Sequence, residues 1–170
     1  MYGMWMAVRE SDWQTMNREQ LLARLDNAWT ALGDSYAGLT EAEMMAPGIA
    51  GDWSVKDMLA HVATWEEEAL KYLPLVLAGG RPPRYASYGG IDAFNARMTE
   101  AKRHLSLAEV QRHLEETHRQ LIAYLRRVPE EQFATETRFR HRLRLDTYSH
   151  YPLHATMIRD WREQMRTAPL

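Results

Sequence analysis

Residues 51–66 read GDWSVKDMLAHVATWE, and this stretch predicts a long helix with a strong start signal. Ser54 is a favoured N-cap residue, and Asp57 places a negative charge near the positive end of the helix dipole. Apolar residues then recur at helical spacing over residues 55–73 and mark one buried stripe. His61 lies in this apolar segment and is therefore carried on a helix that must pack against others.

Other helices open with a capping box, in which an N-cap residue is followed by Glu or Gln three residues later. Each side chain accepts a hydrogen bond from the backbone amide of the other residue. The pairs are Asn17 with Gln20, Thr40 with Glu43, and Ser106 with Glu109. Apolar spacing then predicts long helices over residues 17–36 and 106–128 and a further helix over residues 91–104. After Thr40 only a short helical turn is expected.

Proline, glycine and the loss of periodicity predict where helices are distorted, where they end and where loops lie. Pro74 is expected to kink or loosen its helix before residues 79–80 end it. Residues 134–145 have no firm period and are expected to form a loop or a short hairpin. The final helix is expected to start near Ser149, which leaves Pro152 in the first turn, where proline is tolerated. Four long helices with longish crossover connections and short additional helical turns predict an all-α four-helix bundle.

The chain has 170 residues, a formal net charge of -2 and no cysteine. A chain of this length is long enough to bury one hydrophobic core, and we expect residues 16–168 to form a single helical bundle domain. Residues 1–15 have weak periodicity and are expected to be an N-terminal extension, either an upstream start or a disordered arm. The 21 basic residues are scattered, so no nucleic-acid partner is expected.

The lack of cysteine excludes disulfides, thiolate metal ligands and a cysteine nucleophile. No apolar stretch reaches membrane-spanning length, and the N-terminus lacks the basic region of a signal peptide. We therefore expect a cytoplasmic protein without a membrane partner, and a small-molecule substrate is the expectation that remains.

Three of the seven histidines form a candidate metal site. His150 and His154 are four residues apart near the start of the final helix, a spacing that stacks two imidazoles on one face. His61 comes from another helix, and ligands on facing helices of a bundle converge on its interior. Three neutral imidazoles are typical of a catalytic site that holds zinc or nickel and keeps positions open. The alternative interpretation of an inward histidine such as His61, taken alone, is a core residue that packs. That of an i, i+4 histidine pair, taken alone, is a chance arrangement on a helix surface.

Acidic and aromatic residues near these histidines are further candidates. Asp57 lies one turn before His61, and Glu68 lies two turns after it. Each is a candidate hydrogen-bond partner of the site or general base, and the alternative is an ordinary capping or surface charge. Tyr148, flanking the pair, is a third catalytic candidate. Trp65 and Tyr151 are candidates to contact substrate.

The arginine run over residues 138–144 is a local cationic patch. Such a run is more often a solvated edge than an anion site, although it is able to orient a carboxylate-bearing substrate. The other histidines lie in polar, charge-rich surroundings and are expected to be solvated surface residues. They are His104, His113, His118 and His141.

Two blocks of the sequence resemble the DinB-like superfamily of four-helix bundles, and they look most like its ClbS/DfsB branch. The blocks are residues 51–66 and residues 147–161, TYSHYPLHATMIRDW. The resemblance implies that the histidine of the first block and both histidines of the second, His61, His150 and His154, bind a divalent metal.

The likeness extends from about residue 16 to residue 166, and the first block is its more specific part. Residues 91–95, IDAFN, also look like the ClbS/DfsB branch. Asp92 and Asn95 in this segment are therefore candidate contacts for a substrate.

The residues and the resemblance together leave three hypotheses for function. The leading one is a cytoplasmic homodimer whose metal activates water or a low-molecular-weight thiol against a small electrophile, as a hydrolase or thiol transferase in detoxification or resistance. The second is a ClbS-like hydrolase that needs no metal and uses Asp92, Asn95, Glu68 and Tyr148. The third is a non-catalytic bundle that binds or sequesters a small molecule.

Overall fold

A computed structural model describes residues 15–167, and its regular structure is helical. The helices are α1 Arg18–Tyr36, α2 Glu41–Met45, α3 Val55–Leu77, α4 Ile91–Lys102, α5 Leu107–Leu125, α6 Glu131–Ala134, α7 Arg138–Asp146 and α8 His150–Thr167, with a 3-10 turn at Tyr85–Tyr88. The predicted all-α class is confirmed. Within the described range no helix combines the length and apolarity needed to cross a bilayer. The predicted N-terminal extension lies outside that range except for residue 15.

Four long helices, α1, α3, α5 and α8, form the bundle. α3 packs along α5 and α1 packs along α8, while α4 and α7 contact further faces of α3. The predicted start signals are confirmed, because each N-cap side chain accepts a hydrogen bond from the N3 amide and each N3 side chain accepts one from the N-cap amide. These capping residues are Asn17, Thr40, Ser54 and Ser106. They satisfy amide groups that have no partner within the helix.

α3 is the central helix. Every residue from 54 to 66 is buried, and a helix that is buried all round belongs to the core. Its polar side chains therefore need partners. Lys56, which is 5% exposed, donates to the backbone carbonyl groups of Arg103 at 2.8 Å and Leu105 at 3.0 Å.

Pro74 lies inside α3 without ending it. The helix continues to Leu77, and the Ala78 amide donates to the Pro74 carbonyl at 3.0 Å. The helix ends where the sequence predicts, at the glycines, and Gly79 has a φ of 84° that favours glycine.

The expectation of a loop or hairpin over residues 134–145 is wrong, because α7 occupies residues 138–146. Thr137 caps this helix. Its hydroxyl accepts from the Arg140 amide at 3.0 Å and donates to the Gln132 carbonyl at 2.9 Å.

The hydrophobic pattern of the sequence does not reveal α7, because arginine occupies positions on its buried face. Arg140 is 0% and Arg144 is 5% exposed, and both pair with the carboxylate of Glu136. Apolar periodicity does not reveal a helix whose buried face is partly cationic.

We expect Ser54→Ala to destabilise the protein by about 1 kcal/mol, because α3 would lose its N-cap acceptor. The Ser54 hydroxyl accepts from the Asp57 amide at 3.2 Å in a buried setting. The measurement is the free energy of unfolding in urea. Ser87→Ala, at an exposed position of the 3-10 turn, is the matched control and should leave it unchanged. Equal stabilities for the two variants would contradict the role of the cap.

Candidate metal centre

The structure brings His61, His150 and His154 together. His61 is in the first half of α3, and the other two lie one turn apart at the start of α8. The Nε2 atom of His150 lies 3.1 Å from Nε2 of His61 and 2.7 Å from Nε2 of His154. One ligand atom from each ring falls within a cluster no wider than 4.8 Å.

Pro152 does not prevent this convergence, because it lies in the first turn of α8. Proline has no amide hydrogen, and amides of a first helical turn have no partner within the helix. The Thr147 carbonyl accepts from the amides of His150 at 2.7 Å and Tyr151 at 2.8 Å, which anchors the start of the helix. His150 and His154 therefore share one face.

Burial keeps the three imidazoles neutral at neutral pH. Desolvation lowers the pKa of His61 to about 4, with a smaller contribution from the charge of Lys102. Desolvation also holds the pKa of His150 and of His154 well below the ordinary value; His154 and His61 lower that of His150 further, and His61 lowers that of His154. Neutral imidazole is the form that binds a metal ion.

The donor set fits a divalent cation. A ring nitrogen has either one hydrogen or one lone pair, so Nε2 of His150 cannot satisfy both of its Nε2 neighbours. A metal ion that takes all three lone pairs removes this conflict. Zinc bonds of about 2.0–2.1 Å place tetrahedral nitrogen ligands roughly 3.3 Å apart. The Nε2 atoms of His61 and His150 are near this spacing at 3.1 Å, whereas those of His150 and His154, at 2.7 Å, must move apart to share an ion.

The three rings form part of the wall of a cavity of about 480 Å³, which we call the metal cavity. Its volume is that of a small-molecule site. Its other lining residues are Trp65, Tyr85, Ile91, Asp92, Asn95, Arg142, Leu145, Asp146 and Leu153. Ile91 and Leu153 are 45% and 39% exposed, so the cavity has an apolar rim that solvent reaches.

Arg142 connects the polar groups of this wall. Its Nε donates to Asp146 at 2.5 Å, and an Nη donates to the Tyr85 hydroxyl at 2.9 Å, which itself donates to Glu68 at 2.8 Å. The guanidinium carbon lies 5.9 Å from the ring centre of Trp65. Burial raises the pKa of Asp146 to about 7, against the lowering effect of the Arg142 charge.

Several predicted site residues do lie at this cavity. Trp65, Asp92 and Asn95 line it, and the Trp65 indole donates to the Asn95 side-chain oxygen at 3.1 Å. Glu68 does not line the cavity and reaches it only through its hydrogen bond with Tyr85.

Asp57, Tyr148 and Tyr151 are not among the residues that line the metal cavity. The Asp57 carboxylate accepts from the amide of Ser54 at 3.0 Å and from its hydroxyl at 2.8 Å, which completes the cap of α3. Tyr148 is 4% exposed, and the Arg24 guanidinium lies 5.1 Å from its ring centre.

Tyr151 belongs to a buried polar cluster instead. The carboxyl group of Glu66, which is 0% exposed, accepts from the Tyr151 hydroxyl at 2.5 Å and the Thr117 hydroxyl at 2.8 Å. Nδ1 of His118 lies 2.8 Å from the same carboxyl group. This cluster joins α3, α5 and α8 through hydrogen bonds.

The expectation that His118 is a solvated surface residue is wrong, since it is 9% exposed. Its ring stacks on Trp29 with a centroid distance of 3.6 Å and an interplanar angle of 7°. A signal was present in the sequence, because His118 follows Leu114 by four residues and precedes Leu121 by three, on the apolar stripe of α5.

Sequence reasoning did not single out Tyr85 and Asp146 as site residues, and it named Arg142 only as part of the cationic run over residues 138–144. Tyr85 follows a Pro-rich loop, and the other two lie on the helix that was not expected. The arginine run was the one available signal, since it marked an unusual cationic segment without indicating what it faces.

Residues 24–157 match a family model for the DinB superfamily, which covers most of the chain. The chain belongs to the DinB superfamily. No curated protein sequence matches it.

Solved structures share the DinB fold with this chain at low sequence identity. DfsB, named as a sibling lethal factor precursor, has a TM-score of 0.75 and 16% identity over 91% of this chain and 100% of DfsB. A protein from Streptococcus pneumoniae has a TM-score of 0.69 and 18% identity over 87% of this chain and 91% of its own. The predicted likeness to the ClbS/DfsB branch is thus confirmed for the fold.

The colibactin self-resistance protein ClbS, solved in complex with double-stranded DNA, has a TM-score of 0.71 and 15% identity over 96% of this chain and 100% of ClbS. This likeness concerns the fold alone. The expectation that our DinB protein has no nucleic-acid partner therefore stays a prediction.

We expect Tyr151→Phe to destabilise the protein by about 1–3 kcal/mol, because the buried Glu66 carboxyl group would lose one of its donors. Urea unfolding measures this, with the exposed Tyr88→Phe as the matched control. An unchanged stability together with lost activity would contradict the structural role and place Tyr151 in the chemistry of the site.

Proposed function

We propose that this DinB protein is a metal-dependent enzyme that activates water or a thiol to attack a small electrophile. The observation that supports it is the convergence of three neutral imidazoles in the wall of a cavity of about 480 Å³. Imidazole ligands suit zinc or nickel, and three protein ligands leave a position for water, thiol or substrate. A divalent ion bound there lowers the pKa of water or of a thiol toward neutrality.

The protein's own side chains supply proton transfer and positioning. Asp146 lines the same cavity as the histidines, so its carboxylate is placed to take a proton from the attacking water or thiol. Arg142 holds that carboxyl group at 2.5 Å and so fixes its orientation. Glu68 acts through Tyr85, whose hydroxyl lies between Glu68 and Arg142.

The rest of the lining favours a substrate with an apolar body. Trp65, Ile91 and Leu153 present apolar surface to the cavity. The Asn95 oxygen is taken by Trp65, which leaves the Asn95 amide hydrogens as donors to a substrate carbonyl or ether oxygen. Asp92 stands beside them as an acceptor for a substrate hydroxyl or amine.

Because the chain contains no cysteine, a thiol reaction requires an external low-molecular-weight thiol. The fold shared with ClbS, a self-resistance protein, supports a role in resistance or detoxification. A homodimer and a cytoplasmic location complete the proposal. These parts rest on resemblance rather than on the geometry of the cavity.

Protein purified without a histidine tag should contain about one zinc or nickel ion per chain, because three neutral imidazoles converge. His154→Ala should lower the affinity for the metal by at least about tenfold, since a direct ligand matters at least as much as its supporting groups. Elemental analysis and a chelator competition titration measure both. His104→Ala, at an exposed position on the loop after α4, is the matched control and should bind metal as the wild type does. Sub-stoichiometric metal in the wild type would remove the metal from the proposal.

Hydrolysis of 4-nitrophenyl acetate, with and without added 2-mercaptoethanol, separates the catalytic hypotheses. We expect chelation and His154→Ala to abolish turnover and His104→Ala to preserve it. Turnover retained after chelation would favour the metal-independent hydrolase, in which the polar groups of the wall act alone. Saturable binding of the ester without product would favour a binding bundle.

A further inference from the structure

A second and larger depression adjoins the metal cavity. Its volume is about 950 Å³, and we call it the outer groove. Tyr85, Ile91 and Arg142 line both the outer groove and the metal cavity. An extended molecule that passes these three residues therefore contacts both spaces.

The outer groove is cationic. Arg84 and Arg138 line it at exposed positions, and Arg142, whose charge is paired with Asp146, lines it as well. Glu136 is its one lining carboxylate, and this side chain is already ion-paired with two buried arginines of α7. The positive charge at the groove therefore exceeds the negative charge available to neutralise it.

The charges of Arg84 and Arg138 have no carboxylate partner within residues 15–167. Arg138 donates to the neutral carbonyl groups of Gly79 at 3.5 Å and Gly80 at 2.6 Å, which orient the side chain without compensating its charge. Arg84 precedes the 3-10 turn and forms no ion pair with a described residue. Both guanidinium groups are available to an anion.

The N-terminus of α7 adds to the positive charge at the outer groove. Thr137 and Arg138 line the outer groove, and the first turn of α7 contains no acidic residue. Positive side chains next to the positive end of a helix dipole are unfavourable, whereas an anion bound there is favourable. Glu136, just before the Thr137 cap, offsets part of this charge but is ion-paired with Arg140 and Arg144, and a bound anion would compensate the charge of Arg138.

The alternating arginines of α7 divide between two faces. Arg140 and Arg144 are buried and pair with Glu136, while Arg138 and Arg142, also four residues apart, line the outer groove. The first pair holds the helix in the fold. The second pair is directed to the space that adjoins the metal cavity.

We propose that the outer groove and the metal cavity form one bipartite site for an elongated substrate that carries a carboxylate or similar anionic group. The anionic group binds Arg84 and Arg138, and the apolar body passes Tyr85 and Ile91 into the metal cavity. The identity of the metal cavity as the reaction centre rests on the function proposed above. Binding of the anionic group in the outer groove does not.

Octanoate and 1-octanol are suitable probes, since they share an apolar chain and differ in the anionic group. Isothermal titration should give octanoate a Kd at least about tenfold lower than that of 1-octanol, because guanidinium pairs with carboxylate. Arg84→Gln with Arg138→Gln should raise the Kd of octanoate by about tenfold and leave that of 1-octanol unchanged. The single Arg84→Gln variant, which breaks no ion pair with a described residue, should show part of the same loss.

Arg159→Gln with Arg166→Gln removes two exposed charges from α8 and is the matched control. It should bind octanoate as the wild type does. Equal losses in the two double variants would show a net-charge effect and overturn the proposal, as would an octanoate affinity that neither variant changes.

The indole N–H resonance of Trp65, assigned with Trp65→Phe in ¹H–¹⁵N spectra, reports whether the chain of the probe enters the metal cavity. We expect octanoate to shift it in the wild type. An octanoate that binds without moving this resonance would overturn the bipartite site.

Both measurements are made on protein as purified and again after chelation. Arginine-dependent binding that survives chelation supports this inference even if the metal proposal fails. Octanoate affinity that disappears on chelation would mean that the carboxylate binds the metal, which overturns the inference and leaves the metal proposal intact.

Discussion

The burial of the first half of α3 on every side is the constraint on which the rest of the structure depends. Residues 54–66 are enclosed by neighbouring helices, so each polar side chain among them must find a partner in the protein. Lys56 is satisfied by backbone carbonyls, Asp57 by the helix cap and Glu66 by donors on α5 and α8. His61 is the member of this segment that meets two other histidines instead.

His118 and His61 are both buried in this bundle, and their different surroundings suit them to different roles. His118 faces the carboxyl group of Glu66 and stacks on Trp29, so its polar contact is with a group that completes a structural cluster. His61 and His150 face each other's Nε2 atoms, with no described carboxylate hydrogen-bonded between them. The first arrangement stabilises packing, while the second leaves lone pairs that a cation can use.

Much of the fold and the shared face of the histidine pair on α8 could be predicted because both depend on local patterns. Capping boxes specify helix starts through contacts three residues apart, and the i, i+4 spacing of His150 and His154 specifies a shared face. α7 could not be predicted in this way. Arg140 and Arg144 are buried and pair with Glu136, and Arg140 also donates to the Phe133 carbonyl. A cationic segment carries no sign of these partners in its own periodicity.

The sequence by itself determined where the long helices start, which class of fold they form and that His150 and His154 share one face, because helix periodicity and capping are local. The grouping of His61 with this pair was expected from helix packing in a bundle and from the family resemblance. Only the tertiary structure decided which polar side chains face the metal cavity. Asp57 and Tyr151 are close to the histidines in sequence but are taken by the cap and by Glu66, whereas Tyr85 and Arg142 are brought in from a loop and from α7. Hydrogen-bond partners and burial depend on contacts between distant segments, and spacing along the chain does not report them.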